Sequence, residues 1–403
     1  MSTTSNSWDI NFLKDMSGKG DPYAEQLIEE TAKGGDFKSL HLLFTTMKND
    51  ADGISQSGLP ATVIEYFNHE TVLPEWADQK KIKLAQNVYS RFGPQIALLL
   101  NFKALPLCYA CRNGARVLAS TGRLTGSGKD VSKTMRRLFE TSQMVMNVLS
   151  PEGFSPIGKG IITVKKVRLY HAAIRYFLMH PKYNPELWNT QRDGLPINQE
   201  EMAGTLMAFS ALVLKGLEQL GANLKSEEKD AYIHCWNIVG HFLGVDPKLY
   251  PKTFEEGWNL GISIINRNKE ACEQGKLLTS SLLDFSHSFF SGSFIDRWLL
   301  NSLPVFLIQF FVADVGSVVK TDLATLLGAG KTQNFFQKWK GRVFLSIIGW
   351  VTKKENRKGL LRALSVRYSN KFLEGMVRKY LETYQVAFYI PDSLKASWQM
   401  TIK

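Results

Sequence analysis

The chain has 403 residues and a mass of 45.5 kDa, with 44% hydrophobic and 21% charged residues. Its 24 Phe, 13 Tyr and 9 Trp supply a large core and exclude intrinsic disorder, and only four cysteines exclude a scaffold built from disulfides. The formal charge of +12 is concentrated, because residues 331–380 hold eight Lys and five Arg against two Glu. Apolar residues recur at i, i+3, i+4 and i+7 almost throughout, which predicts an all-α protein. In chain order the expected helices are 24–33, 36–48, 59–70, 77–91, 104–120, 130–149, 158–179, 198–220 and 226–244. They continue with 252–290, broken near Gly275, then 295–328, broken near Pro304, and 331–383. Asn198 and Ser226, each followed by acidic residues in the next turn, are expected N-caps.

The amino terminus, from Met1 to Trp8, lacks the basic and apolar regions of a secretory signal, so a cytoplasmic location is expected. The basic stretch calls for an acidic partner. No helix-turn-helix, zinc-finger or RNA-binding signature accompanies it, so nucleic acid is not expected. Phe335, Phe336, Trp339, Phe344 and Trp350 interleave with the cations. Peripheral contact with an anionic membrane and a plainly solvated basic helix both fit that pattern. The apolar run over 298–319 is interrupted by Asn301, Pro304, Gln309 and Asp314, so a core helix and a membrane-facing one stay open.

Most familiar chemistries are missing. The loop over 121–130 is rich in glycine but lacks the phosphate-loop pattern, and there is no Glu-x-x-His, His-Glu-x-x-His or Gly-x-Ser-x-Gly. Cys108-Tyr-Ala-Cys111 is followed by Arg112 rather than His and has no second pair, so two small core side chains are expected there. Arg168, His171 and Arg175 are more informative. At i, i+3 and i+7 they share one narrow stripe of a helix whose other positions are mostly apolar. Such charges need partners. Two partners are open: carboxylates from a neighbouring helix, or a haem whose iron takes a neutral histidine nitrogen and whose propionates take the arginines. Some 30 residues earlier, Arg137, Glu140 and Thr141 share a face amid Leu138, Phe139, Met144 and Val145.

Together these segments resemble the latex clearing protein (rubber oxygenase) and MpaB-type oxygenase family. The resemblance rests on Thr121-Gly-Arg-Leu124, Arg137-x-x-Glu140-Thr141, Arg168-x-x-His171-Ala-Ala-x-Arg175, the segment Leu195 to Leu206, and Tyr232-x-His234-x-Trp236 followed by Gly244-Val245. It implies a globin-like helical core over 104–290 that holds haem b. An N-terminal helical region (1–103) precedes this core. An apolar and basic C-terminal region (291–403) follows and packs on it. By resemblance His171 is the iron ligand, Arg168 and Arg175 flank it at the cofactor, and Arg137, Glu140 and Thr141 are the catalytic-side residues. The reaction implied is oxidation of a C=C bond of a hydrophobic isoprenoid or lipid by O2. The rubber-cleaving members carry a lysine, able to fill the sixth iron position, just before the matching threonine; here Glu140 stands there. The rival expectation is a lipid-binding protein at a membrane surface, with or without haem and without turnover.

Overall fold

A computed structural model describes residues 8–32, 59–68, 72–120, 132–155, 159–181, 184, 188–289, 302–330 and 332–353. Among these residues every regular element is a helix or a helical turn. The sole β contact is an isolated bridge between Cys111 and Lys269. The all-α expectation therefore holds. Residues 36–48, the loop 121–130 with Thr121-Gly-Arg-Leu124, and 354–380 of the basic stretch lie outside the described residues.

The helices are α1 (Ile10–Ser17), α2 (Pro22–Ala32), α3 (Ala61–Asn68), α4 (Gln79–Leu99), α5 (Leu105–Tyr109), α6 (Arg112–Ser120), α7 (Ser132–Leu149) and α8 (Gly160–Met179). They continue as α9 (Gln199–Phe209), α10 (Ala211–Gln219), α11 (Ser226–Phe242), α12 (Phe254–Asn268), α13 (Glu273–Phe289), α14 (Leu303–Val318) and α15 (Phe335–Lys353). Caps set several of these starts. Asp78 Oδ1 accepts the Lys80 N–H at 2.8 Å, and Asn198 Oδ1 accepts the Glu201 N–H at 2.9 Å. Ser226 is not a cap: it is the first helical residue of α11, and the Lys225 N–H before it donates to Glu228 Oε2 at 2.9 Å.

Other boundaries moved for physical reasons. The expected single helix 198–220 divides at Ser210, whose hydroxyl donates to the Leu206 carbonyl at 2.7 Å and whose backbone leaves the helical region (φ −114°, ψ −89°). Gly275 lies inside α13, and the break falls earlier, between Asn268 and Glu273. Pro304 opens α14 instead of breaking it, since a first-turn proline gives up no intrahelical bond. The short α1, absent from the sequence expectations, starts at Asp9, which caps the Phe12 N–H at 2.8 Å.

Long pairs such as α4 on α11 and α9 on α12 build the main core, which runs from Trp8 to Ile348. Leu303, Leu307, Ile308, Phe311 and Val315 bury α14 within it, and no described helix is long and apolar enough to cross a membrane. A second cluster packs α2 and α3 against Leu169, Ala172 and Ala173 of α8. Helix α8 thus has two buried sides. His171 lies about half a turn away from the Leu169–Ala173 side, facing into the molecule toward α7 and α11.

The turn Leu100–Ala104 between α4 and α5 is a π-helix. Its Lys103 is fully buried, and the ammonium donates to Asp314 Oδ1 (2.6 Å), the Phe311 carbonyl (2.6 Å) and Gln219 Oε1 (3.0 Å). One side chain therefore ties α4, α10 and α14 together.

Candidate functional site

Helix α8 supplies the centre of the site. His171 Nδ1 is sealed from solvent and has no hydrogen-bond partner among the described residues. Burial pushes the imidazole down to about 3, with the Arg175 and Arg137 guanidinium charges adding to the effect, so the ring is neutral at physiological pH. Desolvation on that scale means the ring lies deep. Yet the residue is only half-buried. The ring is therefore strongly desolvated while the residue keeps accessible surface, so it borders a recess beside α8, the His171 cavity.

The same combination marks Glu201, one helix away on α9. It too is half-buried by surface, and yet burial pushes its carboxyl up to about 8. Glu200 repels its charge, while Arg175 and the Ile197 and Asn198 amides favour it. Its Oε1 is buried without a partner. Its neighbour Glu200 behaves oppositely, accepting from Arg267 Nε at 2.6 Å, from a second Arg267 nitrogen, and from Asn268 Nδ2 at 2.8 Å. One turn past Glu201, Thr205 hydrogen-bonds the Glu201 carbonyl at 2.9 Å and reaches the Cys108 thiol of α5.

Helix α7 closes the opposite wall. Arg137 donates to Thr141 Oγ1 at 2.5 Å, and its charge acts on both His171 and Tyr109. Glu140 is half-buried on the same turn. Arg137, Thr141, His171, Arg175, Glu201 and Cys108 thus form one electrostatically connected group from α5, α7, α8 and α9.

The arginine stripe divides in two. Arg168 turns outward to α2 and forms a two-pronged pair with Asp21, Nε to Oδ2 at 2.6 Å and Nη2 to Oδ1 at 2.8 Å. Gly244 (φ +77°) sits against this pair, and a Cβ there would lie 2.4 Å from Asp21 Oδ2. Arg175 donates to Glu25 Oε1 (2.7 Å), the Pro196 carbonyl (2.9 Å) and the Ile197 carbonyl (2.5 Å). Of the two partners the sequence left open for these arginines, the structure shows carboxylates, Glu25 of α2 and Asp21 just before it.

Other sequence motifs are structural. Tyr232 and Trp236 are core residues, and His234 Nε2 accepts the Asp78 N–H at 2.9 Å at the start of α4. Cys108 and Cys111 are free thiols held protonated by burial, Cys108 pushed up to about 12. No group of three or more metal-ligating side chains occurs among the described residues.

Glu201 is the residue the sequence did not single out. Its position after Asn198 explains it fully as a first-turn acid, so nothing set it apart from Glu200. Replacing it should expose its state. The folded protein holds a proton on Glu201 that the unfolded chain releases above about 4.5. Wild-type stability therefore falls as pH rises from 4.5 to about 8, by up to about 1.4 kcal/mol per pH unit, and Glu201→Gln should lack that component. Parallel urea-midpoint profiles for the two proteins would mean that Glu201 is ionised throughout.

A haem is testable against these side chains without further assumption. A neutral, hydrogen-bond-free imidazole in a deep cavity is the donor iron takes, and the residues around it leave accessible space rather than sealed packing. The residues present fit the group.

Comparison with known proteins agrees with the sequence resemblance. A rubber oxygenase from Streptomyces sp. (strain K30) is 23% identical over 266 residues, covering 65% of this chain and 62% of that protein. The chain thus matches about 62% of the length of this curated relative. The solved structure of latex clearing protein in the closed state aligns over 97% of this chain and 100% of its own, with a TM-score of 0.64 and 19% identity, and so has the same fold. The family model described as "ER-bound oxygenase mpaB/B'/Rubber oxygenase, catalytic domain" matches residues 92–313, more than half the chain and all of α5, α7, α8 and α9, and the chain belongs to that oxygenase family.

Proposed function

We propose that this chain is a haem b oxygenase that uses O2 to oxidise a C=C bond of a hydrophobic substrate, isoprenoid-like or lipid. The observation that carries the proposal is His171, a buried, neutral imidazole without a hydrogen bond among the described residues, set beside the charges of Arg175 on α8 and Arg137 on α7. Haem bound there supplies redox-active iron, which allows O2 to react with an alkene.

The chain's own residues have separable tasks. His171 offers iron a neutral nitrogen, and its neutrality is maintained by burial and by two guanidinium charges. Arg175, locked by Glu25 and two carbonyls, and Arg168, locked by Asp21, hold α8 in place and so position His171. Arg137 and Thr141, fixed on each other, present a cationic and a hydroxyl group to the cavity from α7. Glu201 holds a proton at neutral pH, and Glu140 is a second carboxyl on the α7 wall; either suits proton handling during oxidation. Glu140 stands where the rubber-cleaving members carry a lysine, so this turn of α7 would offer a bound haem a carboxyl and no amine. Leu138, Phe139 and Val145 are buried around the polar turn of α7 and exclude water from it.

The test is turnover. Purified protein loaded with haemin, reduced to the ferrous state and freed of excess reductant, is incubated with a short polyisoprene and with unsaturated lipids under ¹⁸O2. New carbonyl products carrying the label are expected. Stoichiometric haem with no labelled product from either substrate class would favour a haem-binding protein without turnover.

A further inference from the structure

Helix α15 presents an apolar face to solvent. Phe335 (76% exposed), Phe336 (66%), Trp339 (50%), Val343, Ile347 and Trp350 are half of the exposed large hydrophobic residues of the described chain. At 100° per residue they fall within about 120° of arc. The opposite side of the helix is seated. Gly341 lies so close to the Phe306 ring that a Cβ would sit 2.2 Å from it, and Ile348 and Thr352 are buried. Phe344, expected among the interleaved aromatics, packs inward against the core.

Cations border the exposed stripe. Lys338, Arg342 and Lys353 run along one edge and Lys340 along the other, and Phe335–Lys353 contains no acid. Lys338, Arg342 and Lys353 form no ion pair among the described residues. These three also line an open groove of about 1150 Å³ between α15, α14 and the end of α10. The groove's floor is apolar, with Phe306 and Phe310 stacked at 6.3 Å and Leu345 and Trp350 beside them. Its one acid, Glu218, is neutralised by Lys215 (2.9 Å) and Lys229 (3.1 Å).

We propose that α15 docks on an anionic membrane surface, its aromatic stripe lying in the interface and the phosphates of anionic lipids resting on Lys338, Arg342 and Lys353 along the groove. Charge complementarity selects this occupant. A soluble protein partner of mainly apolar character would leave the three cations without counter-charge, whereas an anionic bilayer meets stripe and cations together. The proposal is independent of the haem reading, because α15 contributes nothing to the His171 cavity.

Full-length protein is floated with phosphatidylcholine vesicles, with and without phosphatidylserine, at low and high salt. Recovery with the anionic vesicles at low salt, reduced at high salt, is the expected result. The double variant Lys338→Glu, Arg342→Glu should lower the partition coefficient at low salt by at least about thirty-fold, the factor expected from losing the two cations alone, and Phe336→Ser with Trp339→Ser should weaken binding to both vesicle types. Both variants change exposed side chains and should keep the wild-type melting temperature. Absence of flotation at low salt, or undiminished binding by the charge-reversed variant, would overturn the proposal. So would a dimer in solution that Phe336→Ser with Trp339→Ser dissociates, or an unflotated wild type whose stripe becomes protease-sensitive only when residues 354–403 are removed.

Discussion

His171→Ala should purify without a Soret band and acquire none on addition of haemin. Among the described residues His171 is a buried, neutral imidazole without a hydrogen bond, and alanine offers iron nothing. Arg175→Ala should reduce haem retention without eliminating it. That change leaves the Pro196 and Ile197 carbonyls without this donor and Glu25 with only the Asp21 amide, at a cost of about 2–3 kcal/mol, and loosens α8 at His171. Lys83→Ala, an exposed change on α4, is the control and should have no effect. Lys165 would be a poor control despite lying off the ligand stripe, because its ammonium is buried on the Tyr66 carbonyl and over the Tyr66 ring. An unchanged Soret band in His171→Ala would remove the ligand assignment.

Lys103→Ala should destabilise the fold by about 3–5 kcal/mol, the range for breaking a buried ion pair from one side. The ammonium satisfies three acceptors on two helices, and Asp314 Oδ2 already lacks a partner. Lys103→Met keeps most of the packing but strands the same acceptors. Lys103→Met combined with Asp314→Leu should recover much of the loss, since an apolar pair needs no counter-charge. The pH dependence has a definite sign. Burial lowers the ammonium to about 8 against the opposing pull of Asp314, whereas the unfolded chain keeps its proton to about 10.5. Wild type therefore gains stability relative to Lys103→Met as pH rises through that window. Urea unfolding followed by far-ultraviolet circular dichroism measures both effects. A Lys103→Ala loss below about 1 kcal/mol would mean the pair is solvated.

Much of the site could be read in the sequence because polar residues on an otherwise apolar helix demand an explanation. His171 and its arginines declared themselves in that way, as did Arg137 and Thr141 on α7. What the pattern could not assign was the partner. Asp21 and Glu25 lie some 150 residues from Arg168 and Arg175, and nothing local to α2 distinguishes them from solvent-facing acids. Glu201 was hidden for the reverse reason: a capping role accounted for it locally. Lys103 looked like any surface lysine, because its burial depends on a π-turn and on α14 arriving from over 200 residues away. The division at Ser210 was equally invisible, since the apolar run from Met207 to Leu214 continues through it.

The link from α2 to α8 has a practical side. The region matched by the family begins at residue 92, yet the counter-ions of Arg168 and Arg175 come from Asp21 and Glu25. The preceding loop is stitched to the same place: the Leu195 and Gln199 amides donate to the Ser17 and Lys19 carbonyls, both at 2.9 Å. A fragment starting at residue 92 would therefore keep α5, α7, α8 and α9 and still deprive two guanidinium groups of their counter-ions, Arg175 retaining only the Pro196 and Ile197 carbonyls. Residues 8–25 serve as a built-in brace for α8, and cleavage between Ala32 and Leu59 would free that brace while leaving the family-matched region whole.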